Sequence, residues 1–302
     1  MNSPTSIPHR ILLAGATGGL GLRIARELRE RGASVTAAIR LGTAPVRVEP
    51  LTALGVEIRD VDLDDVAQVT AACLGVDCLV SALNGLQHTI LGTQSVLLDA
   101  AVAAGVPRFI PSDFSLDFTR TPPGSNRNMD LRRAFKERLD GAPIQATSIL
   151  NGAFMDMLTG QAPFILFGPR RVIHWGDADQ PVDFTTMDDT AAYTAAVAMD
   201  PTPPRTLRIA GEVTSARDLA ASAGAVAGRP FKTLRVGGIG LLGGMIKLTR
   251  LVAPGKDDVF PPWQGMQYMR DMYSGDGKLG PLDNDRYPGM RWTTVREVLS
   301  AR

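Results

Sequence analysis

Cysteine, tyrosine and histidine are scarce in this 302-residue sequence, which has two, four and three of them. The two cysteines, Cys73 and Cys78, lie in apolar stretches at a spacing that fits no zinc motif. We therefore predict two buried thiols, no disulfide framework and no metal site. Basic runs are also missing and the net charge is +1. Because nucleic-acid binding needs a concentrated positive face, we expect no nucleic-acid partner.

No apolar run is long enough to cross a bilayer, which takes about 20 residues. The longest one, Val236–Ala253, is interrupted by Lys247, Arg250 and five glycines. Met1–His9 is polar and lacks the charged-then-apolar order of a signal peptide. These absences predict a cytoplasmic protein without a membrane partner.

The first half of the chain alternates short apolar runs with stretches of helical periodicity. We predict strands at 10–14, 34–39, 56–58, 78–82, 108–110 and 144–150, and helices at 18–31, 65–74, 93–104 and 129–139, with a helical turn at 51–54. Continuous apolar strands between amphipathic helices are typical of a parallel sheet covered on both faces. The pattern predicts an α/β fold with a doubly wound parallel sheet.

After Asn151 the alternation ends, and glycine and proline become frequent. We therefore predict two domains, residues 1–151 and a smaller lobe at 152–302. Strands near Val182–Phe184 or Leu207–Ile209 are expected to rejoin the main sheet.

A glycine loop follows the first strand directly. It reads Gly15-Ala16-Thr17-Gly18-Gly19-Leu20-Gly21, with GxxGxxG spacing. The first glycine permits a tight turn, the second lets a pyrophosphate approach the backbone, and the third lets the helix pack close to the strand. A helix N-terminus at this point binds phosphate. The context predicts a Rossmann-type dinucleotide site, and a glycine turn without a ligand is the alternative.

The end of the second strand indicates which dinucleotide binds. A carboxylate there would hold the ribose hydroxyls, but the strand ends in Arg40 and the nearest following acid is Glu49. Because arginine pairs with a 2′-phosphate, Arg40 favours NADP(H). An ordinary surface arginine is the alternative.

A second glycine motif, Gly238–Gly243, has GxGxxG spacing and also follows a strand-like run. No second strand with a ribose-binding acid follows it, and a lone motif of this kind is weak evidence. We interpret it as a glycine-rich segment of the second lobe.

Two common catalytic patterns are missing. No tyrosine has a lysine four residues later, which excludes the Tyr-x-x-x-Lys mechanism of typical short-chain dehydrogenases, and the first half contains no tyrosine. No GxSxG motif is present either, which argues against a serine hydrolase.

The sequence resembles the NmrA-like and isoflavone reductase-like proteins, an atypical short-chain dehydrogenase/reductase group. The resemblance lies in Gly15–Gly21, Arg40, Gly75–Ala82, Leu97–Phe114, Gly176–Pro201 and Arg286–Leu299. It implies a Rossmann domain, a smaller C-terminal substrate lobe and bound NADP(H). It also implies cofactor contacts at Ala82, Leu83 and Gln87, and at Pro111, Ser112, Asp113 and Phe114.

In the reductase branch of this group, the resemblance implies a lysine as general acid or base. Counting back from Thr147 places that position on Arg132, with Lys136 one helical turn further on. Arginine is a poor proton donor because its pKa exceeds about 12. Lys136 is therefore the candidate donor, and an ordinary solvated lysine is the alternative.

Two functions remain open. One is an NADPH-dependent reductase acting on a small apolar or aromatic carbonyl, quinone or enone, with Asn151, Phe154 and Met155 as candidate substrate contacts. The other is an NmrA-like redox sensor that binds NADP(H) without chemistry and reports to a protein partner. The missing catalytic pair favours the sensor, and the cofactor loop with a second lobe favours the enzyme.

Overall fold

The computed structural model describes residues 9–302. The segment 1–8, on which most of the signal-peptide argument depends, lies outside the described residues.

Six parallel strands form the main sheet, in the order β3-β2-β1-β4-β5-β6. They are β1 Arg10–Ala14, β2 Ser34–Ile39, β3 Glu57–Asp60, β4 Cys78–Ser81, β5 Arg108–Ile110 and β6 Gln145–Ala146. In the central strand, Ile11, Leu12, Leu13 and Ala14 are all buried, because helices cover a parallel sheet on both faces. The sheet confirms the predicted doubly wound α/β fold.

Helices connect these strands. They are α1 Gly19–Glu30, α2 Pro45–Ala53, α3 Val66–Cys73, α4 Gln94–Ala103 and α5 Arg127–Asp140, and a π-type turn at His88–Thr93 leads into α4. A core that includes Leu79, Phe109 and Phe135 packs between sheet and helices.

The predicted sixth strand, 144–150, is divided between two sheets. Thr147 donates its backbone N–H to Phe109, at the main sheet, but Ser148 donates to the carbonyl of Arg205 at 2.9 Å. The chain therefore leaves the main sheet after Thr147. β7, Ser148–Leu150, pairs instead with β12, Thr206–Arg208.

The later strands form small sheets of their own. They are β8 Ala153–Phe154, β9 Ile165–Leu166, β10 Arg171–Trp175, β11 Val182–Thr185, β13 Glu212–Thr214 and β14 Lys232–Gly237, in the orders β13-β11-β8 and β14-β10-β9. The expectation that β11 or β12 rejoins the main sheet is wrong. β11 is already paired on both sides, with β13 antiparallel and β8 parallel.

The remaining helices are α6 Met187–Met199, α7 Ala216–Ala227, α8 Ile239–Val252, α9 Pro262–Ser274 and α10 Val295–Ser300. Within residues 9–302, none of the helices combines the length and apolar character that a membrane crossing requires.

The chain divides into two compact units. Of the described residues, 9–112, 134–148 and 190–206 belong to the first unit, and 113–133, 149–189 and 207–302 belong to the second. The division places the six-stranded sheet in the first unit and the two three-stranded sheets in the second. The chain passes between the units after Ser112 and within α5, β7, α6 and β12, whereas the sequence suggested one boundary near residue 151.

Candidate functional site

The glycine loop forms a tight corner between β1 and α1. Gly15 has φ +81°, and a Cβ there would lie 2.6 Å from the carbonyl oxygen of Ala82. A Cβ on Gly21 would lie 2.1 Å from the carbonyl oxygen of Gly15. Real side chains do not tolerate such distances, so both positions require glycine. They bring α1 against β1, and the loop against the end of β4.

Gly18 occupies a different position in the same corner. It precedes α1 with φ −84° and ψ 165°, and no side chain caps the helix. A Cβ on Gly18 would meet only the Gly15 carbonyl oxygen, at 3.3 Å. The first N–H groups of α1 therefore face a space that neither a side chain nor a cap fills, which is the arrangement that binds phosphate.

Arg40 directly follows β2, the strand beside β1, and is exposed. Its charge acts on Asp64, whose pKa is lowered mainly by a hydrogen bond from Thr93, with smaller contributions from His88 and Arg40. Arg40 is thus an exposed cation at the carboxyl edge of the sheet, close enough to Asp64 for its charge to stabilise that carboxylate.

Arg47 is a second cation beside the loop, and the sequence analysis did not identify it. It lies on α2, and its Nη2 is 3.4 Å from both the carbonyl and the hydroxyl oxygen of Thr17. Its position depends on how α2 packs. The sequence carried no signal for this position, because residues 40–44 form a turn and α2 begins only at Pro45.

Residues after β4 and β5 are joined by hydrogen bonds. The Ser112 hydroxyl donates to the Leu83 carbonyl at 2.5 Å, and the Ser112 N–H donates to Gln94 Oε1 at 2.7 Å. Gln94 is fully buried and is a further residue that the sequence analysis missed. Pro111 is buried beside Ser112, whereas Gln87 is exposed at the start of the π-type turn. Ala16, Leu20, Ala82 and Leu83 complete this edge of the first unit.

Asp113 and Phe114 fall in the second unit. Asp113 is fully buried, Phe114 is 7% exposed, and the Asp113 carbonyl accepts a hydrogen bond from the Ser115 hydroxyl.

Lys136 is paired on its own helix. Its Nζ donates to Asp140. The other oxygen of that carboxylate accepts from Nε and Nη2 of Arg205, at 2.9 and 2.7 Å. Burial opposes the charge of Asp140, but these cations together hold its pKa below the usual value. Lys136 would have to leave this ion pair to reach a substrate.

Arg132 is buried, and its Nη1 donates to the Asn128 carbonyl at 3.1 Å. Its Nε has no partner among the described residues. Arg133, the next residue, donates to Asp130 and to the carbonyls of Phe118 and Thr121.

Asn151 is the most unusual of the candidate substrate residues. It is fully buried, its backbone N–H donates to Ser115, and its carbonyl accepts from the Thr185 hydroxyl. Neither its Oδ1 nor its Nδ2 has a partner within residues 9–302. Buried amides normally have partners, and the lack of one sets Asn151 apart from the other candidate residues. Phe154 is half-buried, while Met155 is fully buried in the apolar core, which favours packing over contact with a ligand.

Both cysteines are unpaired and buried, as predicted. Burial raises the pKa of the Cys73 and Cys78 thiols to about 12.

The six-stranded parallel sheet and its glycine corner define the class of this protein, a Rossmann-like α/β protein. A family model narrows the class further, since the NmrA-like family model matches residues 8–246. The chain belongs to the NmrA-like family, which confirms the resemblance found in the sequence.

Two curated relatives illustrate the similarity. Pinoresinol reductase 1 of Arabidopsis thaliana is 31% identical over 208 residues, and the isoflavone reductase homolog IRL of Zea mays is 32% identical over 208 residues. Each match covers 64% of this chain and 65% of the relative. The matched part thus spans just under two thirds of the length of these relatives.

Solved structures share the fold over nearly the whole chain. AtPrR2 with NADP+ and (+)pinoresinol has a TM-score of 0.79 at 23% identity, covering 98% of this chain and 99% of that one. The leucoanthocyanidin reductase–NADPH complex from Vitis vinifera has a TM-score of 0.80 at 20% identity, covering 97% and 98%. At these identities the likeness establishes the fold.

Proposed function

We propose that this protein is an NADPH-dependent reductase of a small apolar or aromatic carbonyl, quinone or enone. The observation that carries the proposal is the glycine corner, where Gly15 and Gly21 are sterically required and Gly18 leaves the α1 N-terminus open. Pinoresinol, isoflavone and leucoanthocyanidin reductases among the similar proteins support a reductase and suggest an aromatic substrate.

The residues present fit a dinucleotide. The uncapped start of α1 would hold the pyrophosphate, and Arg40 with Arg47 would hold the 2′-phosphate of NADP(H). Ala82, Leu83, Gln87, Pro111 and Ser112 would border the rest of the cofactor. When bound, the nicotinamide supplies a hydride from its C4.

The protein must then orient the substrate and deliver a proton. The unpartnered Asn151 amide can accept and donate a hydrogen bond, so it is our candidate for orienting a polar group of the substrate, with Phe154 as an apolar contact. Lys136 is our candidate proton donor, acting once it is released from Asp140. Arg132 would keep the local charge positive without donating a proton.

Cofactor oxidation tests the proposal. We expect the protein to consume NADPH with at least one member of a panel of aromatic enones, quinones and aldehydes. Lys136→Met should lower turnover by about 10²–10⁴-fold, the usual contribution of a general acid, with NADPH affinity unchanged. Glu137→Gln, on the same exposed turn, is the matched control and should keep full turnover.

The Asp140→Asn variant tests whether Lys136 donates a proton or has only a structural role. If Lys136 donates the proton, loss of its carboxylate partner should shift the pH profile of kcat. Equal turnover of the wild type and Lys136→Met would eliminate this lysine from the mechanism.

The sensor remains the second candidate function, and the ion pair between Lys136 and Asp140 favours it. It predicts tight NADP(H) binding, no oxidation with any member of the panel, and a protein partner that distinguishes the two redox forms.

A further inference from the structure

Charge is distributed unevenly along the second unit. Residues 219–256 contain six Lys or Arg and no Asp or Glu. The other 264 residues contain 26 Lys or Arg against 31 Asp or Glu. One eighth of the chain is therefore strongly cationic, although the whole carries a net charge of only +1.

The same segment is also rich in exposed apolar side chains. Fourteen large apolar side chains are exposed in the described residues, and seven of them lie in 219–256. Four belong to helix α8, namely Leu241 at 57%, Leu248 at 62%, Leu251 at 80% and Val252 at 71% exposure.

These four residues share one side of α8. Positions 241, 248 and 252 recur at intervals of seven and four, and Leu251 lies three after Leu248, which aligns them on one helical face. Leu242 and Ile246, on the other side, are buried against the rest of the unit. We call the exposed side, Leu241, Leu248, Leu251 and Val252, the outer α8 face. A helix that is apolar on both sides requires a second apolar environment.

Cations flank the outer α8 face. Lys247 is exposed one turn before Leu251, and Lys256 is exposed shortly after the helix ends. Arg250 is exposed as well, with its guanidinium 5.1 Å from the Trp263 ring. Apolar side chains bordered by Lys and Arg, whose long stems allow the charge to reach a headgroup, are typical of helices that lie in a membrane interface.

A second copy of this chain fits the face poorly. Two-fold association would place the same patch against itself, so the patch has to be self-complementary. The cations that border the face, Lys247, Arg250 and Lys256, would approach their own copies, and the nearest carboxylates after them in the chain are Asp257 and Asp258, beyond the end of α8. An anionic lipid surface complements both the charge and the apolar side chains.

We propose that the outer α8 face binds the surface of membranes that contain anionic lipids, with α8 lying in the interface plane. The proposal does not depend on the reductase activity. The prediction of no membrane partner considered only a spanning segment, and a helix that lies on the surface needs no such length.

Vesicle co-sedimentation of the full-length protein tests the proposal. We expect binding to vesicles of phosphatidylcholine mixed with phosphatidylglycerol, weakened by salt, and little binding to phosphatidylcholine alone. Leu248→Gln with Leu251→Gln should lower the partition coefficient about tenfold or more. Lys247→Gln should lower it about fivefold, on the anionic vesicles only.

The matched control is Leu41→Gln with Leu74→Gln, which makes the same change at two residues of 65% and 69% exposure in the first unit. It should bind vesicles like the wild type, and all variants should retain wild-type thermal stability. A wild type that stays unbound with anionic vesicles overturns the proposal, as does an equal loss in the control. Sedimentation velocity adds one more decisive result: a dimer abolished by the α8 variant would assign this face to a second copy.

Discussion

Two strand–glycine–helix corners in this chain look alike locally and differ in what their glycines do. Gly18 precedes α1 with φ −84° and ψ 165°, and Gly238 precedes α8 with φ −86° and ψ 166°. Neither helix has a side-chain cap. In the first corner Gly15 and Gly21 are sterically required, whereas Cβ atoms on Gly240 and Gly243 would have open space. The comparison shows that a glycine spacing reflects a steric requirement only where neighbouring backbone packs against the glycines.

The largest expected difference between the two corners is the change in stability when the third glycine of each motif is replaced by alanine. Gly21→Ala should destabilise the fold by about 3 kcal/mol or more, because its Cβ meets backbone atoms that cannot move away independently. Denaturant unfolding measures the change. Wild-type stability of Gly21→Ala would mean that α1 does not pack as closely on β1 as described.

A substitution at Gly18, in the middle of the first corner, should affect cofactor binding rather than folding. Gly18→Val fills the space before α1, so we expect NADPH affinity to fall about hundredfold, or roughly 2.7 kcal/mol, with cooperative unfolding preserved. Gly238→Val is the matched control, since it has nearly the same dihedral angles and nothing within 4 Å. Calorimetry that finds both variants equally competent would remove the pyrophosphate from this corner.

Two arginines sharpen the assignment of the first corner to NADP(H). Arg40→Ala and Arg47→Ala should each weaken NADPH binding by about 1–3 kcal/mol and leave NADH binding nearly unchanged, because only NADPH carries the 2′-phosphate. Competition titrations with both nucleotides measure the preference. A wild type that binds both equally well contradicts the assignment.

The smallest effect is expected in the second corner. Gly243→Ala places alanine in the interior of α8 with nothing within 4 Å, so it should stabilise the protein by up to about 1 kcal/mol through helix propensity. Thermal unfolding of Gly243→Ala and Gly21→Ala side by side completes the comparison, and a clear loss of stability in Gly243→Ala would show that the surroundings of Gly243 are packed more tightly than described.

The sequence predicted the first corner well because its signals are local. Strand, glycine loop and helix follow one another within Arg10–Glu30, and burial of β1 on both faces leaves a continuous apolar run. The positions of Arg47 and Gln94 were missed, because each depends on how a helix packs rather than on its own residue pattern. α2 shows only one buried residue, Leu51, and has Pro50 in its interior, so its helical pattern is weak.

The second unit was less predictable for a related reason. Strands of two to six residues, such as β8 and β14, find partners far along the chain and leave no periodicity of their own. The division of 144–150 depends on the hydrogen bond from Ser148 to Arg205, 57 residues away. Asn151 was a candidate from the sequence, and only the buried environment reveals its unpartnered amide.

Burial of the two thiols has a chemical consequence for the proposed substrates. Enones and quinones are Michael acceptors that alkylate thiolates. With pKa values raised to about 12, Cys73 and Cys78 are almost entirely protonated at neutral pH, and neither is accessible. Because the thiolate is the nucleophile, the protein presents no reactive sulfur to such electrophiles. We therefore expect it to survive repeated exposure to them without covalent inactivation at cysteine.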